Sequence, residues 1–288
     1  MPVIVEPDRT IDTGSVVLAV DDRGAQHDVS ATPLVLIHGF TGGRIDFADV
    51  IDELATDRRV VAWDHRGHND STNTGDASTY TFDQLVADAV AAVDLLGLDR
   101  FHLLGHSMGG VVAQRLVLEH PGRVESLILM DTLASPTLAI PEDMIETAVG
   151  IGRTKGMAAL ADAMDAAAGR AGGASVALEA DREKIAARNR YKLINMDVEA
   201  FGALATELRT FSPLLPRLGE ISCPTTVIVG EFDLPFREQS VAMAEAISGA
   251  ELVVIDGAAH CPQEERTEAW LTAVRDHLAR SEVDRIPE

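Results

Sequence analysis

Short apolar stretches of strand length alternate with longer stretches of helical periodicity along most of the chain. This alternation is typical of a mostly parallel sheet that is covered by helices on both faces. An earlier apolar stretch, residues 16–20, predicts an antiparallel edge strand before the parallel series. The predicted parallel strands are residues 34–38, 60–64, 101–105, 127–130, 225–229 and 252–255. The predicted helices are residues 47–55, 81–96, 108–119 and 264–279.

The alternation stops between residues 135 and 212, where the sequence is rich in alanine and has helical periodicity without a convincing strand pattern. A glycine-containing stretch, residues 169–173, interrupts this helical pattern. A helical segment inserted into a sheet domain is the simplest organisation. We therefore predict an α/β core in two parts, residues 1–134 and 213–288, with a helical cap or lid over residues 135–212.

A serine stands between glycines where the strand ending near Gly105 meets the helix that begins at Met108. The glycines at positions 105 and 109 leave room for a sharp turn, and a hydroxyl at the apex of such a turn projects beyond the chain. Ser107 is therefore a candidate nucleophile. Since a serine hydroxyl is weakly nucleophilic near neutral pH, it needs a base and a third group that orients the base.

Candidates for both groups follow the last two predicted strands. His260 lies in a glycine-containing loop after residues 252–255, and Asp233 follows residues 225–229. Their chain order with Ser107 is Ser, Asp, His, which matches one of the known triad orders. Asp131, which follows residues 127–130, is an alternative acid.

Nucleophilic attack on a carbonyl also requires donors for the oxyanion that develops. Met108 offers a backbone N–H at a helix N-terminus, where the helix dipole favours negative charge. Phe40, in a glycine-rich loop after the first parallel strand, offers a second N–H. Such a loop can also cradle phosphate, but it lacks the Lys-Ser/Thr ending of a nucleotide-binding loop.

These residues carry a resemblance to the α/β-hydrolase fold superfamily over nearly the whole chain, in its esterase and enol-lactonase-like branch. Four motifs carry this resemblance and follow one another in the order found in the family. They are the loop at residues 38–43, the turn at 105–110, Asp233 and the loop at 257–260. Residues 64–71 also resemble the Asp-x-Arg-Gly-x-Gly-x-Ser stretch of this family, which is mainly structural, with Asn69 in place of a glycine.

The resemblance implies a central sheet flanked by helices, and it favours Asp233 as the acid because that is the commoner position in the family. Some relatives take the acid from the position of Asp131. A serine nucleophile argues against the epoxide and haloalkane branches, which use an aspartate. The implied reaction is cleavage of a carboxylic ester or lactone through an acyl-enzyme on Ser107, without a metal or an organic cofactor.

Three alternatives use the same fold. A carbon-carbon bond hydrolase and a cofactor-free perhydrolase both use the same triad. The shape of the pocket decides which of these reactions the triad catalyses. A receptor-like binding protein would retain the pocket and turn its ligand over slowly. The fold alone does not separate these functions.

The composition of the chain limits the classes of molecule that it is expected to bind. The formal net charge is −22, which disfavours nucleic acid and anionic membranes as partners, because binding phosphates requires basic patches. The first residues lack a basic start followed by a long apolar stretch, so we expect a cytoplasmic protein acting on a small molecule. Cys223 and Cys261 are expected to be buried, unpaired thiols, and the sequence shows no zinc-binding spacing. The sequence leaves the oligomeric state open.

The predicted cap carries two patterns that bear on specificity. Methionines suit an adaptable apolar substrate pocket, although at helical spacing they also occur as ordinary packing residues. Basic residues recur every fourth position on one helical face, which either receives a carboxylate of the substrate or is a solvated face paired with nearby acids. The methionines are Met144, Met157, Met164 and Met196; the basic residues are Lys184, Arg188 and Lys192; the nearby acids are Glu179, Asp181 and Glu183.

Overall fold

The computed structural model describes residues 6–24, 31–137, 141–171 and 179–283. Within these residues, eight strands form one mostly parallel sheet in the order β1-β2-β4-β3-β5-β6-β7-β8. The strands are β1 (Arg9–Asp12), β2 (Val17–Arg23), β3 (Leu34–Ile37), β4 (Val60–Trp63), β5 (Phe101–His106), β6 (Val124–Met130), β7 (Thr225–Gly230) and β8 (Glu251–Ile255).

The antiparallel part of the sheet contains one strand more than the sequence predicts. The predicted edge strand corresponds to β2, which pairs antiparallel with both β1 and β4, so β1 is the edge. Only Ile11 of β1 is buried. With one apolar residue facing the core, β1 has no hydrophobic pattern that sequence analysis could detect.

Ten α-helices accompany this sheet in the described part of the chain, and three 3-10 segments, Arg44–Phe47, Ala77–Thr79 and Leu215–Glu220, join them. The helices are α1 (Ile51–Leu54), α2 (Phe82–Leu95), α3 (Met108–Glu119), α4 (Glu142–Lys155), α5 (Met157–Ala171), α6 (Glu179–Ile194), α7 (Val198–Thr210), α8 (Leu234–Ala246), α9 (Pro262–Glu265) and α10 (Thr267–Val283).

The two faces of the sheet bury separate apolar clusters, as alternating residues of β3 show. Leu34 and Leu36 face the cluster that contains residues of α1 and α10, whereas Val35 and Ile37 face residues of α2, α3 and α8. Successive side chains of a strand point to opposite faces, and a strand buried on both faces is therefore apolar at every position. This continuous apolar pattern is the reason that the parallel strands could be located from the sequence.

Helices α4 to α7 lie between β6 and β7 in the chain. Helix α4 packs against α5 and α7, and α5 packs against α6. Leu160, Leu193 and Leu204 of these helices belong to the same apolar cluster as α2 and α3. Within its described residues, the segment 135–212 contains no strand. The predicted interruption at 169–173 falls partly outside the described residues.

Three helical elements differ from the sequence-based expectation. The predicted helix 47–55 is a 3-10 turn, Arg44–Phe47, followed by the single turn of α1, and the predicted helix 264–279 is divided into α9 and α10 at Arg266. At the first of these, the Asp46 carboxylate accepts a hydrogen bond from the Gly43 N–H, which stabilises a tight turn there. Helix α8 was not predicted.

Two expectations drawn from composition concern cysteines and membranes. Cys223 and Cys261 are unpaired, and both are partly exposed as whole residues. Burial of the thiol raises the pKa of Cys223 to about 11 and the pKa of Cys261 well above its ordinary value, so neither is poised as a thiolate. In the described ranges, no helix has both the length and the apolar composition needed to cross a bilayer.

Candidate active site

Ser107 occupies the turn between β5 and α3, with φ +54° and ψ −121°. A positive φ is uncommon for a residue with a side chain and is retained where neighbouring contacts hold it. Here the Ser107 N–H donates to the Met130 carbonyl at 2.9 Å, and the Thr132 hydroxyl donates to the Ser107 carbonyl at 2.5 Å. The backbone is thereby held on both sides of Ser107.

Glycines allow the elements around this turn to approach each other. A methyl group at Gly109 would lie 2.4 Å from the Ile37 carbonyl oxygen and 2.5 Å from that of His38. A methyl group at Gly105 would lie 2.4 Å from the Gly109 carbonyl oxygen. Both glycines are therefore required by close backbone packing of β3, β5 and α3.

The structure brings Ser107, His260 and Asp233 together at the carboxyl edge of the sheet. The His260 Nε2 atom lies 3.1 Å from Ser107 Oγ, and His260 Nδ1 lies 2.7 Å from Asp233 Oδ2. A carboxylate only accepts hydrogen bonds, so Nδ1 carries the proton and Nε2 is free to accept the serine proton. Asp233 is buried, and 38% of the His260 side chain is exposed.

Two aromatic neighbours hold the His260 loop in place. The His106 Nε2 atom donates to the His260 carbonyl at 2.7 Å, and the two rings are 5.0 Å apart. The Phe236 ring lies 4.6 Å from the His260 ring. Burial, followed by the nearby His260, lowers the pKa of His106 to about 4, so His106 is a neutral donor at neutral pH. Neither neighbour is marked by a sequence pattern, although His106 directly precedes Ser107.

Of the two predicted oxyanion donors, Met108 follows Ser107 at the start of α3, and Phe40 lines the same cavity as Ser107. Among the described residues, neither the Phe40 nor the Met108 amide donates to a backbone carbonyl. The Gly39 carbonyl belongs to the same peptide group as the Phe40 N–H, and it accepts a hydrogen bond from His38 Nδ1 at 2.8 Å. The N–H and C=O of a trans peptide point in opposite directions. The hydrogen bond from His38 to the Gly39 carbonyl therefore directs the Phe40 N–H away from the His38 ring.

The stretch 64–71 supports the same loop, as its structural role in the resemblance implies. The Asp64 carboxylate accepts from the Arg44 N–H at 2.9 Å and from the Asn69 side chain at 3.0 Å. Burial raises the pKa of Asp64 to about 7 despite the Arg44 guanidinium. Asn69, which replaces the usual glycine, has φ +43°.

Asp131, the alternative acid, lies at the end of β6 and is fully buried. Its Oδ1 atom accepts from the Gly230 N–H at 2.9 Å. One oxygen of Asp131, one oxygen of Asp233 and one ring nitrogen of His260 all lie within 4.8 Å of one another. In the part of the chain that the structure describes, these three residues are the group spaced closely enough to hold a metal ion. Two of them, Asp233 and His260, are joined by a hydrogen bond.

A cavity of about 590 Å³ opens onto Ser107 and His260. One part of its wall is apolar and includes Leu133, Ala161, Met164, Leu193, Leu208 and Phe236. The polar lining includes Asp46, Asp165, Asn189, Arg190 and Lys192. Helices α5 and α6 contribute to both parts, so the inserted helical segment shapes the cavity.

The predicted methionine pocket needs correction. Met164 lines the cavity, whereas Met144 and Met157 do not. Met144 is 61% exposed on α4, and Met157 packs against the apolar core, where its sulfur would lie 3.1 Å from a methyl group at Gly152. Met196 is buried in the core.

The basic face of α6 pairs with acids outside its own helix, and it runs from the exposed Lys184 to the buried Arg188 and Lys192. Lys184 and Arg188 both pair with Asp49, at 2.7 and 2.8 Å, and Arg188 also pairs with Glu264 at 2.6 Å. Lys192, which is buried, pairs with Asp46 at the cavity wall.

In the described residues, the ion pairs of the basic face use acids from outside α6, and the expected pairing with Glu179 and Asp181 is not tested. Glu183 is exposed, and the side chains of Glu179 and Asp181 lie outside the described residues. The observed partners are Asp46 in the 3-10 turn Arg44–Phe47, Asp49 between that turn and α1, and Glu264 in α9.

Comparisons with known proteins agree with this architecture. The model of the alpha/beta hydrolase fold family matches residues 32–267. A putative carbamate hydrolase from Rhizobium rhizogenes is 31% identical over 264 residues, which cover 88% of this chain and 95% of the relative. Among solved structures, the enol-lactonase of Burkholderia xenovorans LB400 is 27% identical with a TM-score of 0.79, covering 94% of this chain and 100% of that one. A thermophilic esterase of Thermogutta terrifontis is also 27% identical with a TM-score of 0.79, covering 96% and 98% of the two chains.

Proposed function

The chain belongs to the α/β-hydrolase fold family and is a hydrolase, and on that premise we propose that it cleaves a small carboxylic ester or lactone through an acyl-enzyme on Ser107. The observation that carries this proposal is the continuous hydrogen-bond chain from Asp233 through His260 to Ser107, opening onto a cavity. In this proposal residues 135–212 serve as the cap, because α5 and α6 line that cavity.

In the first half of the proposed reaction, Ser107 Oγ attacks the substrate carbonyl while His260 Nε2 takes its proton. The carbonyl double bond becomes a single bond, and its negative charge is received by the N–H groups of Phe40 and Met108. His260 then gives the proton to the alcohol oxygen as the ester bond breaks. Asp233 stabilises the imidazolium by accepting from Nδ1 throughout.

In the second half, a water molecule takes the position of the departed alcohol. His260 removes its proton, the hydroxide oxygen bonds to the acyl carbon, and the same two N–H groups receive the second oxyanion. Return of the proton to Ser107 Oγ releases the carboxylic acid and restores the enzyme.

The charges around the cavity favour a neutral substrate. Lys192 is already neutralised by Asp46, and Arg190 lies beside Asp162 and Asp165. A substrate carboxylate would therefore have to displace an existing carboxylate from Lys192. We propose an ester or lactone without a free carboxylate, whose apolar part lies against the wall that contains Met164. Because one relative is named a carbamate hydrolase, uncharged carbamates belong among the substrates to be assayed.

A fluorophosphonate probe tests the nucleophile independently of the substrate. We expect it to label the wild-type protein and not Ser107→Ala, and we expect Ser107→Ala to lower kcat for a short-chain aryl ester by about 10⁴-fold or more. Ser240→Ala is the matched control, since Ser240 is buried on α8 and does not line the cavity. Labelling of Ser107→Ala, or hydrolysis limited to one turnover, would contradict the proposal; the second result would favour a receptor-like protein.

A substrate series then separates the chemical classes. Aryl esters of increasing chain length, lactones, carbamates and dienoic ring-cleavage products are compared by kcat/KM. We expect neutral esters or lactones to be preferred over matched esters that bear a carboxylate. A preference for the carboxylate-bearing esters that disappears in Lys192→Met would show instead that the polar wall recognises anions.

A further inference from the structure

The acid side of the site contains two carboxyl groups rather than one. Asp233 follows β7 and accepts the His260 N–H at 2.7 Å, while Asp131 ends the neighbouring strand β6. Both approach His260 closely enough that one atom of each of the three side chains lies within 4.8 Å of the others. Asp131 therefore stands beside the acid–base pair without being part of its hydrogen bond.

The surroundings of Asp131 place it against the other carboxyl group. Its side chain is fully buried, and its Oδ1 atom accepts from the Gly230 N–H. Within the described residues, Oδ2 has no donor when both carboxyl groups are ionised, whereas a protonated Asp131 donates to the Asp233 carboxylate. Asp131 has φ +44°, a conformation that asparagine adopts as readily as aspartate. An asparagine would make the same hydrogen bond without burying an ionisable group.

The charges that face Asp131 determine which of the two carboxyl groups is ionised. They are the Asp233 carboxylate after β7, His260 after β8 and Glu265 on α9. Burial is the main cause that raises the pKa of Asp131 well above its ordinary range, and the negative charges of Asp233 and Glu265 raise it further. Two adjacent buried carboxyl groups do not both ionise readily, and the raised pKa of Asp131 makes Asp131 the one that keeps a proton.

We propose that Asp131 and Asp233 form an acid pair that carries a single negative charge, and that Asp131 takes over this charge and stabilises the His260 imidazolium when Asp233 cannot. This proposal rests on the proposed serine-hydrolase function. In the wild type, Asp131 is a positioning residue that acts through Asp233. In Asp233→Asn the repulsion from the charge at position 233 is gone, and Asp131 loses its proton to solvent and supplies the negative charge beside His260.

The test is a double-mutant cycle with Asp131→Asn, Asp233→Asn and the double variant. Loss of the only acid of a triad typically lowers kcat by about 10⁴-fold. We expect Asp233→Asn to lose about 10- to 100-fold, and the double variant to lose at least a further 10²-fold. Asp131→Asn alone should lose less than about 10-fold, since Asp233 remains and the Gly230 hydrogen bond is kept. The rate of fluorophosphonate labelling of Ser107 is measured alongside kcat.

A pH profile distinguishes an acid from a structural residue. The activity of Asp233→Asn requires an ionised Asp131, so its profile should rise with pH through an ionisation that the double variant lacks. Glu265→Gln is the matched control, because Glu265 is also a partly buried carboxyl near His260 but accepts from the Ala259 N–H. In the Asp233→Asn background, Glu265→Gln should change the labelling rate far less than Asp131→Asn does.

The outcomes separate this proposal from the proposed function. If wild-type Ser107 is not labelled, both fail. If Ser107 is labelled and Asp233→Asn is as inactive as the double variant, while thermal unfolding shows both to be folded, only the acid pair is overturned. A residual activity in Asp233→Asn that depends on Asp131, with the added ionisation in its pH profile, supports it.

Discussion

The carboxyl edge of the sheet and the basic face of α6 both shape the same cavity, but they use different interactions. At the edge, Ser107, Asp233 and His260 meet through hydrogen bonds between groups that lie within five residues of a strand end. On α6, Lys184, Arg188 and Lys192 meet the core through ion pairs. The edge is therefore sensitive to backbone geometry, and the α6 interface is sensitive to charge.

The difference also concerns what each region can tolerate. A hydrogen-bonded array on strand ends is displaced when the backbone beneath it moves, because the side chains have little freedom to follow. A buried ion pair instead fails when one member is removed, since the other is left charged without a partner. The two regions should consequently respond to different perturbations.

Removing the buried cation of α6 should have the largest effect on stability. Lys192→Met leaves the buried Asp46 carboxylate with the Gly43 N–H as its remaining hydrogen-bond donor. Loss of one member of a buried pair costs about 3–5 kcal/mol of the free energy of unfolding. Urea unfolding at neutral pH measures this loss.

The double variant Lys192→Met with Asp46→Asn is the matched control. Asparagine keeps an acceptor for Gly43 and removes the stranded charge, so most of the lost free energy should return. If the double variant is no more stable than Lys192→Met, the cost arises from lost packing, and the contrast with the edge does not depend on charge.

A single methyl group should disturb the edge in the corresponding way. Gly109→Ala forces α3 away from the carbonyl groups of Ile37 and His38, at a cost of up to about 3 kcal/mol. Because Ser107 lies two residues earlier, we also expect kcat to fall by about 10²-fold. Gly150→Ala is the control, since a methyl group there meets no atom within 4 Å. An unchanged kcat in Gly109→Ala would show that the turn tolerates backbone movement.

The two regions differ in how far their sequence predicts their contacts, and the reason is physical. The sequence indicates the positions of Ser107, Asp233 and His260 because parallel strands end at one edge and each residue lies within five residues of such an end. Their catalytic roles stay predictions. The hydrogen bond from His106 to the His260 carbonyl could not be predicted, because the local sequence does not indicate which carbonyl a buried histidine contacts.

On α6 the periodicity revealed the basic face but not its partners. Asp46 precedes Lys192 by 146 residues, and no strand order or chain order relates the two. The face that α4 and α5 turn toward the cavity depends likewise on helix packing. Helix packing leaves Met164 at the cavity and Met144 and Met157 away from it, and a substrate-binding role for Met164 stays a prediction.

The core beneath the edge also buries polar groups in neutral form, and acid should reveal this. His277 lies between Thr226 and Ser126, at 2.8 and 2.7 Å, and burial lowers its pKa to about 3. The unfolded chain binds a proton near pH 6.5, so this contribution to stability is present above that pH and is lost as the pH falls toward 3. The stability advantage of wild type over His277→Gln should shrink by about 2 kcal/mol between pH 7 and pH 5. A constant difference would show that His277 does not titrate on unfolding.

The smallest effect should come from the exposed end of the α6 face. Lys184 and Asp49 are 47% and 38% exposed, so their ion pair is hydrated and contributes about 0.5 kcal/mol. Lys184→Ala should lose about that amount at low ionic strength and almost nothing in 1 M NaCl, where charges are screened beyond about 3 Å. Arg188→Ala, which removes a buried partner of the same Asp49, should cost several times more and retain most of its effect in salt. If the two variants lost the same free energy of unfolding, the strength of these ion pairs would not depend on their burial. Helix α6 would then be held mainly by its apolar contacts.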